Sequence, residues 1–257
     1  MGTSDLPFSG VSVFPVVGLP EIVNGDELGV LIADRCVASG TILADGDLVV
    51  VAQKVVSKAE GAIERIGDQK PSREAFELAE TLGKDARLVQ IVLDQSKRVV
   101  RAVPAVLIVE THQGFICANA GVDQSNIEDE GLVTTLPVDS DRSARGIREI
   151  LMDRSGCDIG VLVSDTFNRP WRDGSINVAI GVAGFDPLRD LRGAIDDFDR
   201  EMTTSRVSLA DEVASAAQLV MGESGRIPVA IVRGVDWDSG DYHAGRLLRP
   251  ANKDLFR

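Results

Sequence analysis

The sequence predicts a mixed α/β (α+β) fold with antiparallel strand pairs, arranged as a single two-lobed unit over residues 1–257. Segments rich in valine and isoleucine recur along the chain, and amphipathic helical patterns separate several of them. The THQG sequence at 111–114 joins two apolar segments so closely that we expect an antiparallel hairpin. Hydrophobic residues make up 44% of the chain and charged residues 26%, which provides for a sizeable core and excludes a disordered protein.

The individual elements are predicted from the spacing of apolar residues and from end signals. Gly83 and Gly222 are expected to end two of the helices, and Ser208 with Asp211 to form a capping pair at the start of another. The predicted helices cover residues 26–38, 72–82, 142–153 and 209–220. The predicted strands cover residues 11–17, 47–52, 105–110, 114–118, 159–164, 176–183 and 227–233.

The overall charge limits the classes of partner. Lys and Arg number 27 against 40 Asp and Glu, a net charge of −13, which repels polyanions and anionic membranes. The three cysteines form no CxxC pair, and no segment has the pattern of a signal peptide or a membrane span. We therefore expect a cytoplasmic protein that binds neither nucleic acid nor membranes.

Common nucleotide-binding and hydrolase motifs are missing from the sequence. There is no GxxxxGK[ST] motif and no GxGxxG after a predicted strand, so the fold is expected to be neither a P-loop nor a Rossmann fold. With two histidines and no GxSxG or HExxH sequence, a serine hydrolase or a zinc protease is not supported. The informative residues are carboxylates at the ends of predicted strands.

Two such strand ends carry oxygen ligands that suit Mg²⁺. Asp123 and Asn126 follow the strand at 114–118 in a loop of small residues. Asp165 and Thr166 end the strand at 159–164, where ligand sites of α/β proteins gather. Each segment also has an ordinary structural interpretation, an Asx-rich surface loop for the first and an Asp turn for the second.

Two further segments carry single charged candidates. Lys58 follows the strand at 47–52 and could present a positive charge to a phosphate chain, although a lysine in such a place is more often solvated. Glu223 lies in a glycine-rich loop after the helix at 209–220, as a metal ligand or as an exposed carboxylate.

Taken together and in order, these segments resemble the coenzyme F420-0:L-glutamate ligase family, also called the F420-0 γ-glutamyl ligases. The resemblance spans nearly the whole chain, and the ordered set of motifs is more specific than any one of them. It rests on LPEI at 19–22, KVVSK at 54–58, AGVDQSN at 120–126, SDT at 164–166, RPWR at 169–172, ADE at 210–212, MGE at 221–223 and DLFR at 254–257.

The resemblance implies a GTP-dependent, metal-requiring amide ligase that forms a homodimer. It implies two divalent ions, Mg²⁺ or Mn²⁺, allows K⁺ beside them, and makes Lys58, Asp123 and Asp165 the catalytic residues. The implied metal ligands are Asp123, Asp165, Thr166 and Glu223. The implied contacts to the guanine nucleotide are Leu19, Pro20, Glu21, Ile22, Gln53, Lys58, Asn126, Met221, Gly222, Glu223, Ser224, Gly225, Arg226, Ile227 and Pro228.

The predicted reaction adds L-glutamate to the terminal carboxylate of coenzyme F420-0, with GTP as co-substrate and further γ-linked additions allowed. Residues 1–257 are expected to form the catalytic domain without a C-terminal flavin domain. Two alternatives stay open, a metal-dependent ligase that acts on another acid and a GTP-binding sensor without turnover. Asn168 and Asp199 stand where the family pattern has glycine; Asn tolerates positive φ better than Asp does.

Overall fold

A computed structural model describes residues 10–125, 127 and 129–254. The helices are α1 (Leu28–Ser39), α2 (Gln53–Glu60), α3 (Arg73–Leu82), α4 (Ala86–Asp94), α5 (Ser140–Ser155) and α6 (Leu209–Met221). The strands are β1 (Ser12–Pro15), β2 (Leu48–Ala52), β3 (Ile63–Arg65), β4 (Ser96–Val103), β5 (Val106–Thr111), β6 (Ile116–Ala118), β7 (Leu132–Thr134), β8 (Gly160–Arg169), β9 (Arg172–Ala183), β10 (Leu188–Asp190), β11 (Arg206–Ser208) and β12 (Val229–Arg233).

A five-stranded mixed sheet organises the molecule. Its strand order is β1-β12-β2-β8-β9, in which β2 and β8 are parallel and the other pairs are antiparallel. The smaller sheets are β4-β5-β6, β3-β7 and β10-β11. The predicted mixed α/β fold with antiparallel pairs is therefore confirmed, while the two-lobed arrangement and the exclusion of P-loop and Rossmann folds stay predictions.

Helices cover both faces of the central sheet because its inner strands are apolar on both faces. On β2, Val49 and Val51 join a hydrophobic cluster with α1 and α5, whereas Leu48 and Val50 join a cluster with α6. This alternation follows from the two-residue period of a strand. A third cluster lies among α3, α4, β5 and the turn after β6. None of the described helices combines the length and the apolar character needed to cross a lipid bilayer.

The predicted strands and helices are present, with ends shifted by a few residues. The hairpin predicted at 111–114 is confirmed, because β5 pairs with β6 in antiparallel register and Gly114 has φ +96°. Sequence analysis missed two helices, α2 and α4, and five strands, β3, β4, β7, β10 and β11. Helix α2 was missed because it follows β2 directly, and its N-cap, Ala52, makes no side-chain capping bond.

The capping pair predicted at the start of α6 is wrong in its detail. Ser208 makes no capping bond, and its hydroxyl donates instead to Asp211 Oδ2 at 2.7 Å. Asp211 Oδ1 accepts from the amide of Ala179 on β9 at 2.9 Å. Gln218 Oε1 also accepts from a β9 amide, that of Asn177, at 2.8 Å. Side chains of α6 therefore accept hydrogen bonds from two backbone amides of β9 and hold this strand in place.

The two positions that depart from the family pattern behave differently. Asp199 has φ +59°, so it does occupy the left-handed region that favours glycine. Asn168 lies within β8 and pairs with Ser175, so its expected tolerance for positive φ is not used. The left-handed backbone conformation at Asp199 is therefore energetically unfavourable, whereas the strand conformation at Asn168 is not.

The contact between β9 and α5 yields a test of the packing. A Cβ added at Gly181 would overlap the carbonyl oxygen of Ser140 at the start of α5, so Gly181→Ala must displace the helix. We expect the free energy of unfolding to fall by about 1–3 kcal/mol, as for other overpacked positions. Urea unfolding followed by circular dichroism measures the change.

The matched control is Gly146→Ala within α5, where an added Cβ has no heavy atom within 4 Å. Because alanine is the better helix former, this variant should gain up to about 1 kcal/mol. Equal stability of the two variants would contradict the tight contact between β9 and α5.

Candidate active site

The candidate site lies where the parallel strands β2 and β8 end. The register pairs Ala52 with Ser164, so α2 begins beside Asp165 at the same edge of the sheet. Such an edge is where α/β proteins commonly bind ligands. Asp123 reaches this edge from the turn after β6, and a β-bridge to Thr134 fixes its backbone.

Asp123 is held by an ion pair with a lysine of α2. Lys54 Nζ lies 2.5 Å from Asp123 Oδ2, and it also contacts the hydroxyl and carbonyl oxygens of Ser125 at 2.5 and 2.6 Å. Burial acts to raise the pKa of Asp123, but the hydrogen bonds from Lys54 and from the Ser125 amide outweigh it and hold the pKa below its usual value. Asp123 is therefore ionised and oriented.

Asp165 has the opposite electrostatic environment. Burial of its carboxylate is the main reason that its pKa is raised to about 6, and the negative charges of Asp123 and Glu223 raise it further. The amide of Thr166 and the charge of Lys54 oppose this shift. The other two carboxylates predicted as metal ligands, Asp123 and Glu223, thus act on Asp165, although the described residues contain no group of three His, Cys, Asp or Glu arranged to hold an ion.

Thr166 lies on the other face of β8, and hydrogen bonds link it to Glu223. Successive side chains of a strand point to opposite faces, so Thr166 does not share the face of Asp165. Thr166 Oγ1 donates to Asn177 Oδ1 at 2.9 Å, and Asn177 is anchored through its backbone amide by Gln218. Gln218 Nε2 in turn donates to Glu223 Oε1 at 3.1 Å. Asn177 and Gln218 therefore connect the two predicted ligands.

Two of the segments predicted to contact the nucleotide adjoin α2, one at its start and the other at its last turn. Lys58 Nζ pairs with the carboxylate of Glu21, which brings residues 19–22 to this helix. The Ala52 amide donates to the carbonyl of Pro228 at 2.8 Å, which brings the loop at 221–228 beside it. Residues 222–226 are exposed in that loop. Both segments thus adjoin the same helix.

Some residues predicted to contact the nucleotide have side chains that are almost fully buried. Gln53 is 3% exposed, and its Nε2 donates to Ser57 Oγ at 2.5 Å and to the Thr135 carbonyl at 3.0 Å. Ile22 and Met221 are likewise buried in the hydrophobic clusters. Asn126 lies outside the described residues.

Sequence analysis missed three residues that organise the site, namely Lys54, Asn177 and Gln218. Lys54 and Lys58 are four residues apart in α2, so they lie on one face of the helix. That spacing would have revealed Lys54 if the segment had been recognised as helical. No local signal marks Asn177 or Gln218, because their partners come from other elements.

Comparisons with known proteins agree on one family. The family model described as "F420-0:Gamma-glutamyl ligase" matches residues 17–234. A Methanothermobacter thermautotrophicus protein named "Coenzyme F420:L-glutamate ligase" is 43% identical over 251 residues, which is 96% of this chain and 99% of that protein. Proteins of the same name from Methanopyrus kandleri and Archaeoglobus fulgidus are 42% and 40% identical, over 91% and 96% of this chain and 92% and 96% of their own lengths.

In protein that a chelator has freed of metal, the raised pKa of Asp165 should make the free energy of unfolding depend on pH. Since the folded pKa of about 6 lies above the unfolded value near 4, protonated Asp165 favours the folded state, and this contribution is lost as the pH rises through 6. Asn mimics the protonated acid. Asp165→Asn should therefore raise the free energy of unfolding at pH 7.5, on the order of 1–2 kcal/mol, and change it little at pH 4.

Urea unfolding at the two pH values measures this difference. Asp153→Asn, at an exposed position of α5, is the matched control and should change stability by less than about 0.5 kcal/mol at both. A destabilised Asp165→Asn at pH 7.5 would show that the carboxylate is well compensated in the metal-free protein.

Proposed function

Because the chain belongs to the F420-0:gamma-glutamyl ligase family, we propose that it joins L-glutamate to the terminal carboxylate of coenzyme F420-0 through an amide bond. GTP is the co-substrate, GDP and phosphate are released, and further γ-linked glutamates extend the product. The observation that carries this proposal is that Asp123 and Glu223 both act electrostatically on the buried carboxylate of Asp165, at the strand edge where α2 begins. The segments proposed to bind the nucleotide adjoin the same edge.

Amide formation in water needs an activated acid. In the proposed reaction a carboxylate oxygen of F420-0 attacks the γ-phosphorus of GTP, and the bond to GDP breaks. The amine of glutamate then attacks the acyl carbon and loses a proton, and inorganic phosphate leaves with the carboxylate oxygen. The reactants are anions, so the site must supply positive charge where they meet.

Two lysines of α2 supply part of that charge. Lys54 is paired with Asp123, and Lys58 lies one helical turn further along the same face, in contact with Glu21. We assign Lys58 to the transferring phosphate, since a compact ammonium suits phosphate oxygens. Asp123 and Asp165 complete the catalytic set. The exposed loop at 222–226, together with residues 19–22, is assigned to the guanine nucleotide.

The donor set suits two divalent ions, Mg²⁺ or Mn²⁺. Asp123 and Glu223 both raise the pKa of Asp165, and this repulsion supports the assignment because bound cations would relieve it. Asp165 and Thr166 lie on opposite faces of β8, so two ions fit the side chains better than one. When bound, the ions would neutralise phosphate and carboxylate charge. The proposal includes K⁺ beside them.

A cytoplasmic homodimer completes the proposal. The three cysteines are free thiols. They support the cytoplasmic location, because an oxidising compartment favours disulfides. Burial raises the pKa of the Cys117 thiol to about 12 and that of Cys36 to about 11, so neither thiol acts as a nucleophile near neutral pH. The dimer is supported by family membership alone.

The assignment of the carboxylates is tested by substitutions that keep side-chain shape. Asp165→Asn and Glu223→Gln should each lower turnover at saturating Mn²⁺ by at least about 100-fold, because each removes a negative charge from the proposed metal site. Product formation from GTP, glutamate and F420-0 is measured by mass spectrometry. Glu212→Gln, on the exposed face of α6, should keep the wild-type rate.

Wild-type rates in Asp165→Asn or Glu223→Gln would remove those residues from the site. A wild-type protein that binds GTP without forming product would instead be a sensor, and product from a different acid alone would change the substrate assignment.

Transfer of an oxygen atom tests the acyl-phosphate step separately. With ¹⁸O in the terminal carboxylate of F420-0, the released phosphate should carry the label in step with amide formation, because the phosphorylated oxygen leaves with phosphorus. Mass spectrometry of the phosphate measures this transfer. If phosphate took its new oxygen from ¹⁸O-labelled water instead, Asp123 and Asp165 would serve GTP hydrolysis and the mechanism would be wrong.

A further inference from the structure

A cavity of about 860 Å³ lies beside Asp123, away from the segments assigned to the nucleotide. None of the described residues at 19–22, 53–58 or 221–228 lines it, whereas Asp123 does. Since Asp123 also contacts Lys54 of α2, it stands at the boundary between the cavity and the nucleotide side of the site. A molecule held in the cavity would therefore meet the transferring phosphate near Asp123.

The size and the lining of the cavity suit a large organic acid. Its volume falls within the range of about 300–1,000 Å³ that is typical of small-molecule sites. The half-buried side chains of Ile66, Leu88 and Val122 form an apolar wall. Free glutamate has little apolar surface to place against such a wall, so the acid substrate is the better match.

Two cationic side chains line the cavity, and only one of them has an acidic partner in the described part of the chain. Arg87 is paired with Asp85, with Arg87 Nη2 2.7 Å from Asp85 Oδ2. Lys84 forms no ion pair with any described residue, and its Nζ donates to the neutral amide oxygen of Asn119 at 2.9 Å. Burial lowers the pKa of Lys84, which indicates that its charge is partly desolvated. An anionic ligand would compensate this charge.

Packing holds Asn119 in a strained backbone conformation at the cavity wall. Asn119, Ala120 and Gly121 have successive φ values of +52°, +55° and +70°, and left-handed geometry is unfavourable for the first two. Ala120 is 1% exposed within the third hydrophobic cluster, so packing holds this turn. Strain of this kind gathers at functional sites. The same turn leads directly to Asp123.

We propose that this cavity binds the acid substrate, and that Lys84 and Asn119 hold an anionic group of it while its reacting carboxylate meets the nucleotide near Asp123. The inference rests on the proposed function, because it places F420-0 in the cavity and leaves glutamate to another part of the site. Lys84 acts here as a positioning and specificity residue, since it is not assigned to the reacting atoms.

Titration of F420-0 into the full-length protein tests this assignment without turnover. Mn²⁺ and a non-hydrolysable GTP analogue are present and glutamate is omitted, so that binding is measured alone. Lys84→Met should weaken F420-0 binding by about 10-fold or more, the value of a charge-assisted hydrogen bond. Its affinity for the GTP analogue should stay within about twofold of wild type, which also reports that the variant is folded.

Three further variants sharpen the comparison. Lys97→Met removes a lysine that lies outside the cavity, paired with Glu110, and should bind F420-0 as wild type does. Lys84→Arg keeps the charge and should restore most of the affinity. Asn119→Gly suits the left-handed backbone, so it should fold even if Lys84→Met does not, and it should weaken F420-0 binding several-fold.

The outcomes separate this inference from the proposed function. Unchanged F420-0 affinity in Lys84→Met and in Asn119→Gly would overturn the cavity assignment and leave the ligase assignment intact. Loss of glutamate affinity instead, measured by titration of glutamate, would assign the cavity to the amine substrate and overturn the inference as well. If the wild-type protein neither bound nor converted F420-0, the proposed function would fail and the inference with it.

Discussion

The parallel pairing of β2 with β8 is the constraint on which the rest of the site depends. Strand β2 and the first half of β8 are buried on both faces, so helices must cover each side and the strand ends must carry the exposed polar groups. Because the strands run in the same direction, their carboxyl ends open at one edge. Helix α2 with its two lysines follows β2 there, and Asp165 continues β8. This edge is therefore where positive and negative side chains meet.

Two carboxylates near the central sheet show how environment separates a structural from a functional role. Asp47 is fully buried, and Arg233 binds both of its oxygens at 2.7 Å, which compensates its charge. Asp165 has no such ion pair with any described residue, and its pKa is raised mainly by burial and further by neighbouring carboxylates. An uncompensated charge of this kind costs stability in the metal-free protein, as is common where a site is built for ligands.

Much of the fold could be predicted from local pattern. The strands at 47–52 and 159–164 are continuous apolar runs, and Gly83 and Gly222 end helices as expected. Elements without such signals were missed. Helix α2 lacks a capping side chain at its start, and β7 is three residues long, so neither stands out from its surroundings. These elements exist because tertiary packing stabilises them.

The family and the carboxylates at strand ends can be read from the chain without its fold, since ordered motifs and apolar periodicity are local properties. The partners of those carboxylates depend on how the elements pack. Lys54 is 69 residues from Asp123, and Gln218 is 41 residues from Asn177. The cavity with Lys84 also joins segments that are distant in sequence. Contacts across such separations arise from the packing of whole elements, which no local pattern encodes.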